Sequence, residues 1–115
     1  MIREGQIAVF AFHQTDQRAG KLRPALVVRR LPGNYNDWLI CMISTQLSHL
    51  ISGFDDVIAD KDPDFPQSGL KASSLIRISR LAVVNGDVLL GSIGNIGVER
   101  LRLVKTRISQ WITGT

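Results

Sequence analysis

Short apolar runs divided by turn-forming residues constrain the fold of this chain more than any other feature. Such runs occupy residues 7–12, 25–29 and 38–43, and residues 31–37 are rich in Pro, Gly, Asn and Asp. Runs of this length, bounded by turn residues, are typical of strands. The run at 25–29 shows little alternation of polar and apolar residues, which indicates a strand covered on both faces. The chain is therefore predicted to consist mainly of strands.

The second half of the chain adds further strands and then changes to helical periodicity. Short strands are predicted at residues 54–59 and 91–96, and a longer one at 73–84. In the long strand, alternation places Leu75, Arg77, Ser79 and Leu81 on one face and Ile76, Ile78 and Arg80 on the other. From residue 98 a helical stripe contains Val98, Leu101, Val104, Ile108, Trp111 and Ile112. These elements predict a mainly β fold, a small, strongly bent sheet or barrel, with one C-terminal α-helix over an opening or a face.

The composition is that of one folded domain spanning residues 1–115, with 44% hydrophobic and 21% charged residues. No apolar stretch reaches the roughly 18–20 residues that a membrane span needs. Residues 1–6 lack the apolar core of a signal peptide. The single cysteine, Cys41, lies in an apolar run and is expected to be a small core residue. The expected location is cytoplasmic, without a membrane partner.

The net charge of +4 is unevenly distributed, with +3 over residues 1–54, −4 over 55–66 and +5 over 67–115. Two basic flanks around one acidic segment could attract a polyanion to one face. Asp60, Asp62 and Asp64 alternate in the acidic segment, but the spacing lacks the Gly and the distal Glu of a calcium loop. A solvated acidic loop is expected there. Without zinc-ligand spacing or a phosphate-binding Gly-Lys-Ser/Thr loop, the sequence predicts neither a metal nor a cofactor.

A polar loop followed by Arg23 and Pro24 carries the clearest chemical signal. Residues 13–22 lie between two predicted strands and contain His13 and Lys21. Pro24 fixes its own φ and favours an extended conformation at Arg23, so Arg23 is predicted at a rigid strand entrance. Its planar, charged fork suits phosphate recognition. A surface hairpin with an ordinary salt-bridged Arg is the alternative interpretation.

Two further positions carry groups that could act together with Arg23. Ser44 and Thr45 supply hydroxyls at the end of the third strand, and Arg77 lies on the long strand. With His13, this set suits metal-free RNA cleavage, in which a base removes the proton of a 2′-hydroxyl and cations stabilise the pentacoordinate phosphate. Only a fold could bring these groups together.

Four segments and the C-terminal helix carry motifs of one family. Residues 5–9 read GQIAV, and residues 20–28 read GKLRPALVV, which is similar to G-x-x-R-P-x-L-V followed by a hydrophobic residue. Residues 43–46 read ISTQ, similar to a strand end with T-x-Q. Residues 69–77 read GLKASSLIR, similar to a strand that begins with Gly-Leu and carries Ser and Arg. Nearly end to end, the chain resembles the MazF/PemK/Kid family of toxin endoribonucleases from type II toxin–antitoxin systems.

The resemblance implies an SH3-like β-barrel that forms a homodimer. It also implies a sequence-specific endoribonuclease that needs no metal or cofactor and cleaves single-stranded RNA, often mRNA. Attack by the 2′-hydroxyl would leave 2′,3′-cyclic phosphate and 5′-hydroxyl ends. A cognate antitoxin would neutralise the toxin, and operator DNA would be bound only by the complex with the antitoxin.

The resemblance also implies roles for individual residues, by position in the motifs. Arg23, Ser44 and Arg77 match catalytic positions. RNA-binding roles are implied for His13, Lys21, Thr45, Gln46 and Ser79. Ser79 stands where one branch carries a carboxylate proposed as the base, and Ser44 keeps the hydroxyl of a Thr without its methyl group. A catalytically impaired RNA- or DNA-binding barrel, or an antitoxin-binding module of the same fold, is therefore the alternative.

Overall fold

Residues 2–12 and 21–115, which the computed structural model describes, form six strands and two α-helices. The strands are β1 (Gln6–Phe12), β2 (Lys21–Arg30), β3 (Asp37–Ser44), β4 (Asp56–Ile58), β5 (Ser74–Asn85) and β6 (Leu89–Asn95). Helix α1 (Phe65–Ser68) precedes β5, and helix α2 (Val98–Thr113) follows β6. Single 3-10 turns occur at Leu47–His49 and Gly86–Val88.

The strands form one antiparallel sheet in the order β4-β5-β3-β2-β1-β6. This confirms the predicted mainly β fold with a C-terminal helix. Pairing among the described strands leaves β4 and β6 as edges, so the sheet is not closed by hydrogen bonds into a complete barrel.

The two faces of the sheet bury separate hydrophobic clusters. The cluster on the α2 side includes Leu26, Val28 and Val104, and the cluster on the opposite side includes Val27 and Trp38. Neighbouring residues of β2 thus point into different clusters, which confirms that this strand is covered on both faces. Each fully buried aliphatic side chain of this kind stabilises the fold by about 1.5–3 kcal/mol.

Cys41 belongs to the cluster on the α2 side and is completely buried. Burial, together with the negative charge of Asp55, raises the pKa of the Cys41 thiol to about 12. The sulfur is therefore a neutral thiol at physiological pH, and a nucleophilic cysteine requires the thiolate. The prediction that Cys41 is a small core residue is confirmed.

Helix α1 covers part of the edge strand β6. Gly69 ends this helix with a φ of 74°, and a Cβ atom there would lie 2.1 Å from the carbonyl oxygen of Ile93. A Cβ atom on Gly94 would lie 2.2 Å from the carbonyl oxygen of Gln67. Because real Cβ atoms do not approach so closely, glycine at both positions permits the contact. Helix α1 begins at Phe65, within the acidic segment for which the sequence predicted only a loop.

Helix α2 buries fewer residues against the sheet than the predicted helical stripe contains. Val104 and Ile108 are buried, whereas Val98, Trp111 and Ile112 are exposed, Trp111 by 61%. The two ends of the predicted stripe therefore lie outside the core, and Leu101 packs against it while only partly buried. No α-helix in the described part of the chain is long and apolar enough to span a membrane.

The acidic segment is bound to Arg100 of α2, so the prediction of a solvated loop is wrong. The Arg100 guanidinium donates to Asp56 at 2.6 Å, to Asp62 at 2.8 Å and to Asp64 at 2.9 Å. The side chain of Arg100 is only 14% exposed. We refer to these four residues as the Arg100 cluster. It connects the segment around β4 to the C-terminal helix, although the two lie far apart in the sequence.

Hydrogen bonds lower the pKa values of two carboxyl groups in the Arg100 cluster, those of Asp62 and Asp64. The side-chain hydrogen bond from Arg100 lowers the pKa of Asp64. The Ala59 amide, followed by Arg100, lowers the pKa of Asp62. Burial opposes both shifts but is outweighed. The carboxyl groups of Asp62 and Asp64 therefore stay ionised to a lower pH than ordinary aspartates.

Candidate functional site

The ends of β2 and β3 diverge and leave a groove on the surface. In the described pairings, residues 21–24 bond to β1, whereas Ile43 and Ser44 bond to β5, and β2 meets β3 only from Ala25 onward. Two adjoining pockets of about 200 and 230 Å³ lie at this divergence, and a third of about 410 Å³ shares Met42 and Arg77 with the first. We call these three pockets together the groove.

Arg23 lies where the first two pockets of the groove meet. It is exposed and pairs with Phe10 across the β1–β2 ladder. The sequence predicted Arg23 at the entrance of a strand. Strand β2 instead begins at Lys21, so Arg23 lies within the strand. Pro24 pairs with β1 on one side, whereas the described pairing of β2 with β3 begins only at Ala25. A proline, which has no amide hydrogen to donate, is tolerated where a strand lacks a neighbour on one side. The proline therefore marks the point where the groove opens.

The Ser44 hydroxyl is held by a local hydrogen bond. It lies at the end of β3 and accepts from the backbone amide of Gln46 at 3.0 Å. This bond restrains the side chain in the way that the methyl group of a threonine would. Because the amide occupies a lone pair of the oxygen, the hydroxyl proton can be donated to an anion in the groove. Thr45 and Gln46 line the second pocket beside it.

Arg77 enters the groove from β5. Its backbone pairs with Met42, and its side chain lines the first and third pockets. The Nε atom is buried and has no hydrogen-bond partner among the described residues. A buried, unpartnered guanidinium nitrogen is costly unless a ligand accepts its hydrogen bond. Arg77 therefore has an unfilled donor at the groove, which suits an acceptor such as a phosphate oxygen.

All ionisable side chains that line the groove in the described part of the chain are basic. They are Lys21, Arg23, Lys71, Arg77 and Arg80. No carboxylate lines these three pockets within the described residues. Such a concentration of cations beside hydroxyl and amide donors suits a chain of phosphates. The floor of the first pocket is apolar at Phe10 and Met42, and Phe10 itself belongs to the hydrophobic core.

The groove unites most of the predicted site residues but not all of them. Arg23, Ser44 and Arg77 line its first pocket, and Lys21, Thr45 and Gln46 line its second. His13 lies outside the described residues, so its predicted role stays a prediction. Ser79 lines none of the three pockets.

Ser79 is bound to Asp55, away from the pocket linings. The Ser79 hydroxyl donates to Asp55 Oδ2 at 3.2 Å, and the Ser79 amide donates to Asp55 Oδ1 at 2.9 Å. Asp55 is only 2% exposed. Ser79 is therefore a hydrogen-bond donor to a buried carboxylate. One branch of the family that the chain resembles carries a carboxylate at this position.

A Ser79→Asp variant is expected to be less stable than the original chain by about 1–3 kcal/mol at neutral pH, because two carboxylates in contact cannot both stay ionised without cost. Thermal unfolding followed by circular dichroism measures the difference. Ser79→Asn, of nearly the same size but uncharged, is the matched control and should lose less. Equal losses in both variants would show that charge repulsion is not the cause.

Two basic residues of the groove were missed by the sequence analysis. Lys71 lies in the second pocket and follows the Gly69-Leu70 motif, which could have indicated it. Arg80 lies in the third pocket, but strict alternation along the long strand had placed it on the face opposite Arg77. No local sequence signal distinguishes it from an ordinary surface arginine.

Several solved structures share this fold at low sequence identity. The Mycobacterium tuberculosis toxin MazF-mt6 has a TM-score of 0.64 at 16% identity, covering 94% of this chain and 96% of that one. An endoribonuclease in complex with its cognate antitoxin from a mycobacterial species has a TM-score of 0.66 at 12% identity, covering 98% and 96%. MazF from Deinococcus radiodurans has a TM-score of 0.62 at 15% identity, covering 100% and 99%.

Comparison with curated protein sequences gave no significant match. The sequence model of one family, described as PemK-like, MazF-like toxin of type II toxin-antitoxin system, matches residues 3–112. This match covers nearly the whole chain and agrees with the fold of the structural neighbours. The resemblance of the four sequence motifs is thereby confirmed, and the chain belongs to the PemK-like, MazF-like toxin family of type II toxin–antitoxin systems.

Proposed function

We propose that this toxin is a metal-independent endoribonuclease that cleaves single-stranded RNA in the cytoplasm. The observation that carries the proposal is the groove, in which Arg23, Ser44 and Arg77 line a single pocket. Its ionisable lining within the described residues is entirely basic, as a polyanionic substrate requires. Family membership supports the same activity class.

In the proposed reaction the 2′-oxygen attacks the neighbouring phosphorus as its proton is removed. The bond from phosphorus to the 5′-oxygen breaks, and that oxygen takes up a proton. The products are a 2′,3′-cyclic phosphate and a 5′-hydroxyl. Negative charge builds up on the phosphate oxygens of the pentacoordinate transition state, and preorganised donors aimed at those oxygens lower the barrier.

The three residues of the first pocket with polar side chains have roles that follow from their chemistry. Arg23 and Arg77 bind the non-bridging oxygens, because a guanidinium offers two parallel donors and a permanent charge. Ser44 donates its hydroxyl proton to one of these oxygens. Arg23 acts through its charge, since an arginine with a pKa above about 12 is a poor proton donor. His13, which lies outside the described residues, keeps its predicted RNA-binding role.

A second candidate function is an RNA-binding barrel without catalysis. It is favoured by the described lining of the groove, which contains neither a carboxylate nor an imidazole that could accept the 2′-proton. Ser79, where a carboxylate would stand, is instead bound to Asp55. Both functions require RNA in the same groove and differ only in turnover.

The proposed partners are a cognate antitoxin and a second copy of the chain. One structural neighbour is described as a complex with its cognate antitoxin. For this chain, an acidic and apolar segment would complement the basic rim and the apolar floor of the groove. Such a segment would compete with RNA and thereby neutralise the toxin.

The proposed function is tested with purified protein, EDTA and a mixed-sequence single-stranded RNA, in parallel with DNA of the same sequence. Cleavage of the RNA alone, leaving cyclic phosphate and 5′-hydroxyl ends, is expected because the attacking group is the 2′-hydroxyl. An Arg23→Ala protein purified in the same way reveals contaminating nuclease. Salt-dependent RNA binding without fragments would support the non-catalytic candidate. Neither binding nor cleavage would overturn both.

A further inference from the structure

Arg77 and Arg80 line the same pocket, although they lie three positions apart on one strand. Both border the third pocket of the groove together with Met42. In a regular strand, successive side chains point to opposite faces, so residues three apart lie on different faces. A local departure from regular strand geometry is therefore needed to bring both guanidinium groups to the groove.

That departure is a bulge in β5. Arg77 pairs with Met42, but the next pair along the ladder is Leu81 with Cys41. Residues 78–80 thus stand opposite no partner on β3 in the described register. Bulges re-aim side chains and leave backbone groups without their ladder partners. Some other group must therefore bind the backbone of this segment.

Asp55 binds one backbone group of this segment, the Ser79 amide, and the Ser79 side chain as well. Its buried carboxylate accepts from the Ser79 amide at 2.9 Å and from the Ser79 hydroxyl at 3.2 Å. The same carboxylate accepts from the amide of Ile51 at 3.0 Å. Arg107 of α2 donates to the carbonyl oxygen of Asp55 at 2.7 Å. The position of Asp55 is thus fixed by contacts with Ile51 and Arg107, which are independent of the bulge.

The aim of Arg77 depends on this backbone geometry. Its Nε atom has no hydrogen-bond partner among the described residues, so no carboxylate of the described chain holds that nitrogen in place. The position of Arg77 in the groove then follows from where β5 places its Cα atom. A change in the bulge would shift Arg77 and Arg80 together.

We infer that Asp55 is a positioning residue for the groove: its carboxylate fixes the bulge at Ser79 and so aims Arg77 and Arg80 at adjacent phosphates of one strand. Asp55 is buried and lines none of the three pockets, so it would act on RNA only through the arginines. The inference rests on the proposed function, since it assigns the two arginines to neighbouring phosphates of the substrate. It also extends the proposed RNA-binding surface from the first pocket, which contains Ser44, to the third pocket, which contains Arg80.

The test uses the full chain and a single-stranded 2′-O-methyl RNA, which binds but cannot be cleaved. Affinity is measured over a range of salt concentrations for the original protein, Asp55→Asn, Arg80→Ala and the double variant. Each phosphate contact on a single strand contributes about 0.7 to the slope of log affinity against log salt. Ser79→Ala is a milder variant, which loses only the hydroxyl bond to Asp55, and thermal unfolding verifies that each variant is folded.

Arg80→Ala is expected to reduce the slope by about 0.7, and Asp55→Asn by about 0.7 for each arginine displaced. In the Asp55→Asn background, Arg80→Ala should change the slope little further, because Arg80 is already misplaced. Ser79→Ala should shift the slope in the same direction by less. An additive loss in the double variant would overturn the inference, since a merely structural Asp55 leaves the contribution of Arg80 intact.

A second readout needs no RNA and separates the inference from the proposed function. Hydrogen exchange of the Ser79 amide should be at least about tenfold faster in Asp55→Asn, and the side-chain Nε resonances of Arg77 and Arg80 should shift. Unchanged exchange and resonances would overturn the positioning role. If the original protein binds no RNA, the proposed function fails, while these spectra still decide whether Asp55 fixes the bulge.

Discussion

Cleavage of single-stranded RNA is expected to fall by about 10²–10³-fold when Arg23 is replaced by alanine. Arg23 borders both pockets at the point where β2 and β3 diverge, so its removal affects the centre of the groove. The loss should appear mainly in kcat, because the charge on the phosphate is larger in the transition state than in the bound RNA. Arg23→Lys keeps the charge but not the bidentate fork, so it should recover only part of the activity.

Arg29→Ala is the matched control for this prediction. Arg29 is an exposed arginine on the same strand that lines none of the three pockets of the groove. The substitution removes the same charge from the chain, so any loss through net charge alone would occur in both variants. We expect Arg29→Ala to cleave within about twofold of the original protein. Equal losses in the two variants, or a loss confined to KM, would contradict a transition-state role for Arg23.

Replacing Arg100 with methionine is expected to lower the free energy of unfolding by about 3–5 kcal/mol. Arg100 donates to three carboxylates that are themselves only 14–26% exposed, so its loss leaves three partly buried negative charges without their common partner. For a chain of this size the melting temperature should fall by roughly 10–20 °C. Denaturant unfolding and calorimetry measure the two quantities.

The effect of Arg100→Met should depend on pH in a defined direction. The pKa of Asp64 is lowered chiefly by Arg100, so its contribution to stability is present above the ordinary aspartate pKa of about 3.9 and is lost as the pH falls through the lower folded value. The pKa of Asp62 is also lowered, first by the Ala59 amide and then by Arg100. The stability difference between the original chain and the variant should therefore be full at pH 7 and shrink below about pH 4.

Arg102→Met gives a comparison on the same helix. Arg102 contacts only the exposed Glu99 in the described structure, and the two side chains are 69% and 87% exposed. Exposed ion pairs contribute about 0–1 kcal/mol, so this variant should unfold almost like the original. A similar loss for Arg102→Met and Arg100→Met would show that helix propensity, and not the Arg100 cluster, causes the effect.

Local pattern was sufficient to predict the strands and the centre of the groove. The apolar run at residues 25–29 predicts a strand covered on both faces, and Leu26 and Val27 indeed lie in different clusters. Arg23 and Ser44 were found because they adjoin the ends of such runs, where the chain leaves the core. The groove itself depends on which strands pair at each position, and no local pattern encodes that pairing.

Contacts between distant segments could not be predicted. Arg100 binds aspartates 36 to 44 positions away, and neither partner carries a local sign of the other. Arg80 was assigned to the wrong face because alternation assumes a regular strand, whereas β5 has a bulge there. The predicted helical stripe included Trp111, because periodicity does not show where a helix extends beyond the sheet.

The contact between α1 and β6 also limits how copies of this protein can associate. An edge strand offers unpaired backbone groups to which a strand of another molecule can add, and such addition leads to runaway aggregation. At Ile93 and Gly94 the backbone of α1 and Gly69 already lies against β6, without space for even one methyl group. We expect strand addition at these residues to require that α1 first move away from β6. By permitting the contact of α1 with β6, the two glycines thus help to cover part of an edge strand.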